Sequence, residues 1–223
     1  MAIATLLAKR KGPALSVLAR RSARRSGLGS PIALLLGGYL VEHGWYRSYR
    51  SEKPVDRNGQ PVPWYTYPCI SFLQSRLTPS MRVFEYGAGM SSLWYAQRVA
   101  EVVSVEHDPH WATLVRAVAP ENCQVVLATE DHDYLDTISG FEAFDLVVID
   151  GVRRTEAAIA ALGNLTAAGV MIWDNSDWAE FLDVFPTLQE HGFKRIAFSG
   201  MGPVNRYGWE TSVLYRDENC LSI

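Results

Sequence analysis

Arg82-Val83-Phe84-Glu85-Tyr86-Gly87-Ala88-Gly89-Met90-Ser91-Ser92 reads as a strand that runs into a glycine turn and then into a helix. Gly87 and Gly89 carry no Cβ, so the backbone can turn sharply and a ligand can lie against the main chain. Glu85 stands two residues before the first glycine. A dinucleotide fold uses the same turn, but it needs positive potential for a pyrophosphate at the helix N-terminus; a carboxylate beside the turn favours a ligand that carries positive charge.

A second apolar strand follows, Glu101-Val102-Val103-Ser104-Val105-Glu106-His107-Asp108, and it too ends in acids. In doubly wound α/β folds, the acid that closes the second strand, about 20 residues past the turn, accepts hydrogen bonds from the ribose hydroxyls. Glu106 occupies that place. With the acid-x-Gly-x-Gly turn and this second acid, the chain resembles a class I S-adenosylmethionine-dependent methyltransferase. The resemblance spans about residues 64–217. It implies S-adenosylmethionine, a sulfonium and ammonium carrier, as cofactor, bound by Glu85, Gly87, Gly89, Glu106, His107, Asp150 and, at the adenine amine, Asp131 or its neighbour Glu130.

The rest of the chain alternates as such a fold requires. Strands are expected at 82–87, 101–107, 123–128, 144–150, 169–174, 193–199 and 211–216, and helices at 69–77, 91–99, 109–118, 131–138, 154–165 and 177–191. The runs Leu146-Val147-Val148-Ile149 and Val170-Met171-Ile172-Trp173 are apolar throughout, as parallel strands covered on both faces should be. No helix separates the last two strands, so they can pair antiparallel. The expected class is α/β: a doubly wound, mostly parallel seven-stranded sheet with an antiparallel C-terminal strand.

Candidate chemistry lies at the carboxyl ends of the strands, where such sheets bind ligands. Asp150 ends one strand and Asp174-Asn175 end another, bringing two carboxylates and an amide oxygen to one edge. These residues are similar to those of metal-dependent O-methyltransferases of the catechol and caffeoyl-CoA types. That resemblance implies Asp150 and Asp174 as catalytic residues, and Asp150, Asp174 and Asn175 as ligands of Mg²⁺ or another divalent cation, a hard ion suited to oxygen donors. Caps on the following helices are the alternative reading. Arg153 stands where those enzymes place a lysine base, and a guanidinium cannot take a proton. Tyr65, Tyr67 and the loop Gly200-Met201-Gly202-Pro203 are candidates for the acceptor side, and the histidines form no ligand pair. Pro63-Trp64-Tyr65-Thr66-Tyr67-Pro68, Phe84-Glu85-Tyr86-Gly87-Ala88-Gly89 and Val148-Ile149-Asp150-Gly151 also look like a little-characterised plant and bacterial group of methyltransferases, some tied to polysaccharide synthesis. The expected acceptor is therefore a small molecule or a glycan, methylated at oxygen. Rival readings are a noncatalytic module of the same fold and a nicotinamide-dependent oxidoreductase; against the latter stand Glu85 and Ser92, the latter at the third glycine position of a dinucleotide fingerprint.

Composition bounds the remaining choices. At 223 residues, 48% of them apolar, the chain suits one α/β domain with an extension: a leader at 1–30, an extension and connector at 31–63, and the domain at 64–223. Three dispersed cysteines, Cys69, Cys123 and Cys220, form neither a zinc pattern nor a disulfide framework and fit a reducing, cytoplasmic setting. Pro31 to Val41 is too short to span a bilayer. Lys9, Arg10, Lys11, Arg20, Arg21, Arg24 and Arg25 all precede the first acid, Glu42, whereas beyond position 30 acids outnumber Lys and Arg by 24 to 14. Nucleic acid is thus not an expected partner of the domain. The leader reads as disordered or as a cationic helix on an anionic membrane, and an organelle-targeting peptide shares its composition. If the membrane reading holds, each basic residue contributes about 1 kcal/mol at an anionic surface. The full chain should then sediment with anionic vesicles at low salt, and the chain without residues 1–30 should not; full-length protein left in the supernatant would end that reading.

Overall fold

The computed structural model describes residues 37–223; the leader at 1–30, and every expectation attached to it, lies outside the described residues. Tyr39–Glu42 forms a single helical turn. Gly44–Ile223 form a unit of their own. It begins with helix α1 (Trp45–Ser51). The connector that follows is folded on itself: Ser48, buried, bonds the carbonyls of Lys53 and Val55 and accepts from the Val55 N–H, and Asp56 Oδ1 accepts from the Asn58 and Gln60 amides at 2.8 Å.

Beyond helix α2 (Tyr67–Gln74), strands and helices alternate in the order β1 (Arg82–Tyr86), α3 (Met90–Ala96), β2 (Glu101–Glu106), α4 (Pro109–Arg116), β3 (Cys123–Leu127), α5 (Asp131–Asp136), β4 (Phe144–Ile149), α6 (Arg154–Ala161), β5 (Leu165–Asp174), α7 (Val184–Glu190), β6 (Lys194–Met201) and β7 (Gly208–Tyr215). The sheet order is β3-β2-β1-β4-β5-β7-β6. β1 to β5 pair in parallel, and β7 inserts antiparallel between β5 and β6. This is the expected seven-stranded sheet. Strand order reverses between β1, which turns toward β2, and β4, so β1 and β4 flank the place where such sheets hold ligands.

Period-two alternation sorts the core into two layers. Val83, Val102, Leu146, Val148, Val170 and Ile172 pack with Tyr65, Leu73, Trp94 and Val115 on one face. Phe84, Tyr86, Val103, Val147, Ile149 and Trp173 pack with Tyr134, Ala157, Ala161 and Leu188 on the other. Each buried large side chain contributes roughly 1.5–3 kcal/mol relative to exposure. By the same alternation Glu85, between Phe84 and Tyr86, must point into the first layer, beneath α3.

Several boundaries differ from the sequence expectation for local reasons. The helix expected over 177–191 is a 3₁₀ turn at Ala179–Phe181 followed by α7, because Pro186 is tolerated only in a first turn and its ring would clash with the carbonyl four residues back. The helix expected over 154–165 stops at Ala161, giving way to a 3₁₀ turn that contains Gly163. β5 starts earlier than expected, at Leu165, through an irregularity in its register with β4 between Phe144 and Leu146.

One close approach fixes the sheet's ligand edge. Gly87 has φ +96°, and a Cβ there would stand 3.0 Å from Gly151 Cα and 3.1 Å from Gly151 N. A Cβ on Gly151 would meet Gly87 N at 2.9 Å and Tyr134 Oη at 2.1 Å. The ends of β1 and β4 therefore touch backbone to backbone. Gly87→Ala and Gly151→Ala should each destabilise the fold by about 1–3 kcal/mol, the first through backbone strain and the second through steric overlap; urea unfolding measures both, and wild-type stability in either would refute the approach.

Candidate active site

Glu85 is fully buried under the glycine turn rather than beside it. Its Oε2 accepts a short hydrogen bond from Ser92 Oγ and lies 3.1 Å from Ser104 Oγ, while the Gly89 N–H donates to Ser92 Oγ at 3.0 Å. A chain of polar contacts thus runs from the carboxylate through α3's first turn to the turn's second glycine. Oε1 has no hydrogen-bond partner. Burial pushes the carboxyl up to about 7, against the pull of the Ser91, Ser92 and Ser104 hydroxyls.

Above the turn lies a cleft of about 530 Å³, lined by Gly87, Ala88, Gly89, Glu106, His107 and Asp150 among others. Glu106, closing β2, is nearly buried, and its carboxylate holds the wall together. Oε1 accepts from the His107 and Asp108 amides at 2.8 and 2.9 Å and lies 2.9 Å from His107 Nδ1; Oε2 accepts from the Ala88 N–H at 3.1 Å. Oε1 is saturated, so capacity for a ligand hydroxyl remains at Oε2. Asp108 caps α4, accepting from the His110 and Trp111 amides at 2.8 and 2.9 Å. That cap presents Trp111, whose Nε1 donates to the Ala88 carbonyl at 2.6 Å, to the cleft. A Cβ on Gly89 would meet nothing closer than Ser91 Oγ at 3.9 Å, so this glycine leaves open space on the cleft wall instead of relieving a clash. Among the described residues, four carboxylates line the cleft, Glu52, Glu106, Asp108 and Asp150, against one ammonium, Lys53. The balance favours a cationic ligand over a pyrophosphate.

A second hollow of about 370 Å³ shares Trp64 and Asp150 with the cleft and is otherwise lined by Arg154, Asp174, Asn175, Trp178, Asn205 and Tyr207. The acid cluster is organised around Arg154. Its Nε donates to the Gly151 carbonyl at 3.0 Å, its Nη2 to the Asp150 carbonyl and Oδ1 at 3.2 Å each, and its Nη1 to Asn175 Oδ1 at 3.1 Å and, by a short bond, to the Asp174 carbonyl. One oxygen of the Asp174 carboxylate is engaged on the other side. Its Oδ1 accepts from Trp209 Nε1 at 2.9 Å and from Thr211 Oγ at 2.6 Å, across the β5–β7 register that sets Asp174 opposite Thr211. Burial raises the Asp150 carboxyl above the usual range, with Arg154 opposing; burial and then the Asp150 charge raise Asp174 further. The Asp150 side chain is 22% exposed, and that access to solvent moderates the effect.

Solved structures share this architecture. A precorrin-6y C5,15-methyltransferase from Geobacter metallireducens superposes with a TM-score of 0.55 at 17% identity, over 66% of this chain and 87% of its own. A putative O-methyltransferase from Klebsiella pneumoniae gives 0.54 at 17% identity, over 82% and 92%. The cofactor-bound protein Rv0187 from MTB gives 0.51 at 22% identity, over 84% and 94%. The fold is that of the class I methyltransferases. No protein-family model matches the sequence, and no curated protein matches it.

On this class I methyltransferase frame, Gly87, Gly89, Glu106, His107 and Asp150 come together on the cleft wall, while Glu85 stands behind it. Asp131, at the start of α5, is exposed and ion-paired with Arg153, away from the lining. Tyr65 and Tyr67 are buried in the core, not at an acceptor surface. The cation expected at Asp150, Asp174 and Asn175 does not fit the arrangement: a guanidinium already lies among them, and one of the carboxylates faces β7. Among the described residues no group of three or more His, Cys, Asp and Glu could hold a metal ion. Arg153, at the lysine position, adopts φ +52° and reaches outward to Asp131 and Glu156, and this left-handed turn directs the next residue, Arg154, inward. Sequence reasoning missed Arg154, Trp111, Lys53 and Trp64. The Asp108-Pro109 start of α4 signalled a capped helix and so could have placed Trp111 in its first turn.

The sign of the Glu85 effect is fixed by its raised folded-state value. The proton is held more tightly in the folded chain than in the unfolded one, so stability is full below about 4.5 and falls as pH rises through about 7. Glu85→Gln should therefore match wild type near pH 4.5 and exceed it above pH 7 by up to about 3 kcal/mol. Urea titrations at both pH values check this, and an unchanged difference between them would refute it.

Proposed function

We propose that this protein is an S-adenosylmethionine-dependent methyltransferase that acts at oxygen on a small-molecule or glycan acceptor. The observation that carries the reading is the acidic cleft over the Gly87–Gly89 turn, with Glu106 on its wall and Asp150 shared with a second, aromatic-lined hollow. Glu106 Oε2 suits a ribose hydroxyl, the open face of Gly89 suits close approach of a ligand, and the carboxylates suit sulfonium and ammonium groups. Lys53, an ammonium on the wall, suits the cofactor's carboxylate. When bound, the cofactor supplies a methyl group on a positively charged sulfur, open to in-line displacement.

The second hollow is the proposed acceptor site. Trp64, Trp178 and Tyr207 are partly exposed there and offer ring faces to a small molecule or a sugar. Asp150, at the junction, is placed to accept the proton an acceptor hydroxyl gives up as its oxygen takes the methyl group. Alignment of the two ligands across that junction is the protein's other contribution.

Calorimetry with S-adenosylhomocysteine and with NADH tests the cofactor assignment: the first should bind and the second should not. Glu106→Ala should lower S-adenosylhomocysteine affinity by at least ~1.5 kcal/mol, through loss of a charge-assisted bond and of the Ala88 anchor. Gly89→Ala should keep wild-type stability and still weaken binding. NADH binding more tightly, or wild-type affinity in both variants, would sink the assignment. Mass spectrometry of cell extract incubated with the protein and deuterium-labelled cofactor then identifies the methylated acceptor.

A further inference from the structure

We infer that Arg154 is a built-in cation at the ends of β4 and β5, and that it excludes a divalent metal from the place between Asp150 and Asn175. A guanidinium has five N–H donors in a fixed planar fork. All five are matched here: Gly151 O, Asp150 O, Asp150 Oδ1, Asp174 O and Asn175 Oδ1 each accept one. The side chain is only 12% exposed. The acceptors come from both strand ends, so the fork ties together the two elements that a shared metal ion would tie.

The same bonds leave a metal poor terms. Mg²⁺ or Mn²⁺ would need several oxygens in near-octahedral geometry, and the two side-chain oxygens facing the spot already accept from a fixed positive charge that would repel the ion. Asn175 contributes through a left-handed backbone, φ +55°, that turns its amide back toward Arg154. Asp174 Oδ1 is committed to Trp209 and Thr211. An arginine cannot step aside by losing its proton, so the exclusion holds across the physiological pH range. Arg154, with no donor left over, is a positioning residue: it orients Asp150.

The inference concerns the site of the proposed methyl transfer, but its readout is ion binding, which does not depend on that proposal. Mn²⁺ is titrated into the full chain and followed by electron paramagnetic resonance. Wild type should show no saturable binding. Arg154→Ala, with its fold verified by circular dichroism, should take up one Mn²⁺ at least ~10-fold more tightly than wild type. Adding Asp150→Asn to that variant should remove the ion again. Should Arg154→Ala fail to fold, Arg154→Gln keeps much of the side chain, removes the charge and carries the same readout. Saturable Mn²⁺ binding by wild type that is lost in Asp150→Asn overturns the inference, and so does a folded charge-removal variant that gains no ion.

Discussion

Everything on the ligand edge of this sheet depends on a contact between two glycines. Gly87 and Gly151 meet backbone to backbone, and a Cβ at either place would crowd the other strand end. The approach carries Asp150 to the lip of the turn, allows the Asp150 N–H to donate to the Tyr86 carbonyl at 3.1 Å, and lets the Gly87 N–H donate to Val105. Three strand ends are thereby locked in register, and Glu106, at the tip of the third, is close enough to accept from Ala88. The cleft is a product of main-chain geometry before any side chain enters it.

Charge is distributed in depth around that contact. Glu85 lies behind the turn, where burial raises its carboxyl and serine hydroxyls hold it. Glu106, Asp108 and Asp150 lie in front, on the cleft wall. The front acids set the field a ligand meets, whereas the rear acid braces the first turn of α3 through Ser92. A carboxylate two residues before a glycine turn can therefore serve as scaffold, and the electrostatic preference it suggested in the sequence is supplied by its neighbours.

Much of the fold was legible because its signals are local. Apolar runs at 146–149 and 170–173, glycines after the first strand and an acid after the second each specify an element or a turn within a few residues, and the missing last helix foretold the antiparallel partner. The boundaries that differ do so at Pro186 and Gly163, breakers that cut a helix short within an otherwise helical pattern. The residues of the cleft wall were legible for the same reason as the fold. The acid cluster was not, because its organisation is set by one backbone angle: with Arg153 left-handed, the residue that reaches the site is its neighbour, and no composition or spacing distinguishes Arg153 from Arg154. Trp64 and Lys53 come from the segment before the sheet, and only tertiary packing brings them to the cleft.

Trp64 and Asp150 belong to both hollows, so the two proposed occupants share a wall rather than lying side by side. Any shift that one occupant imposes on that wall alters the affinity of the other, and thermodynamic linkage makes the effect equal in both directions. With two ligands bound as proposed, that partition, an indole and a carboxylate, is where each would help or hinder the other.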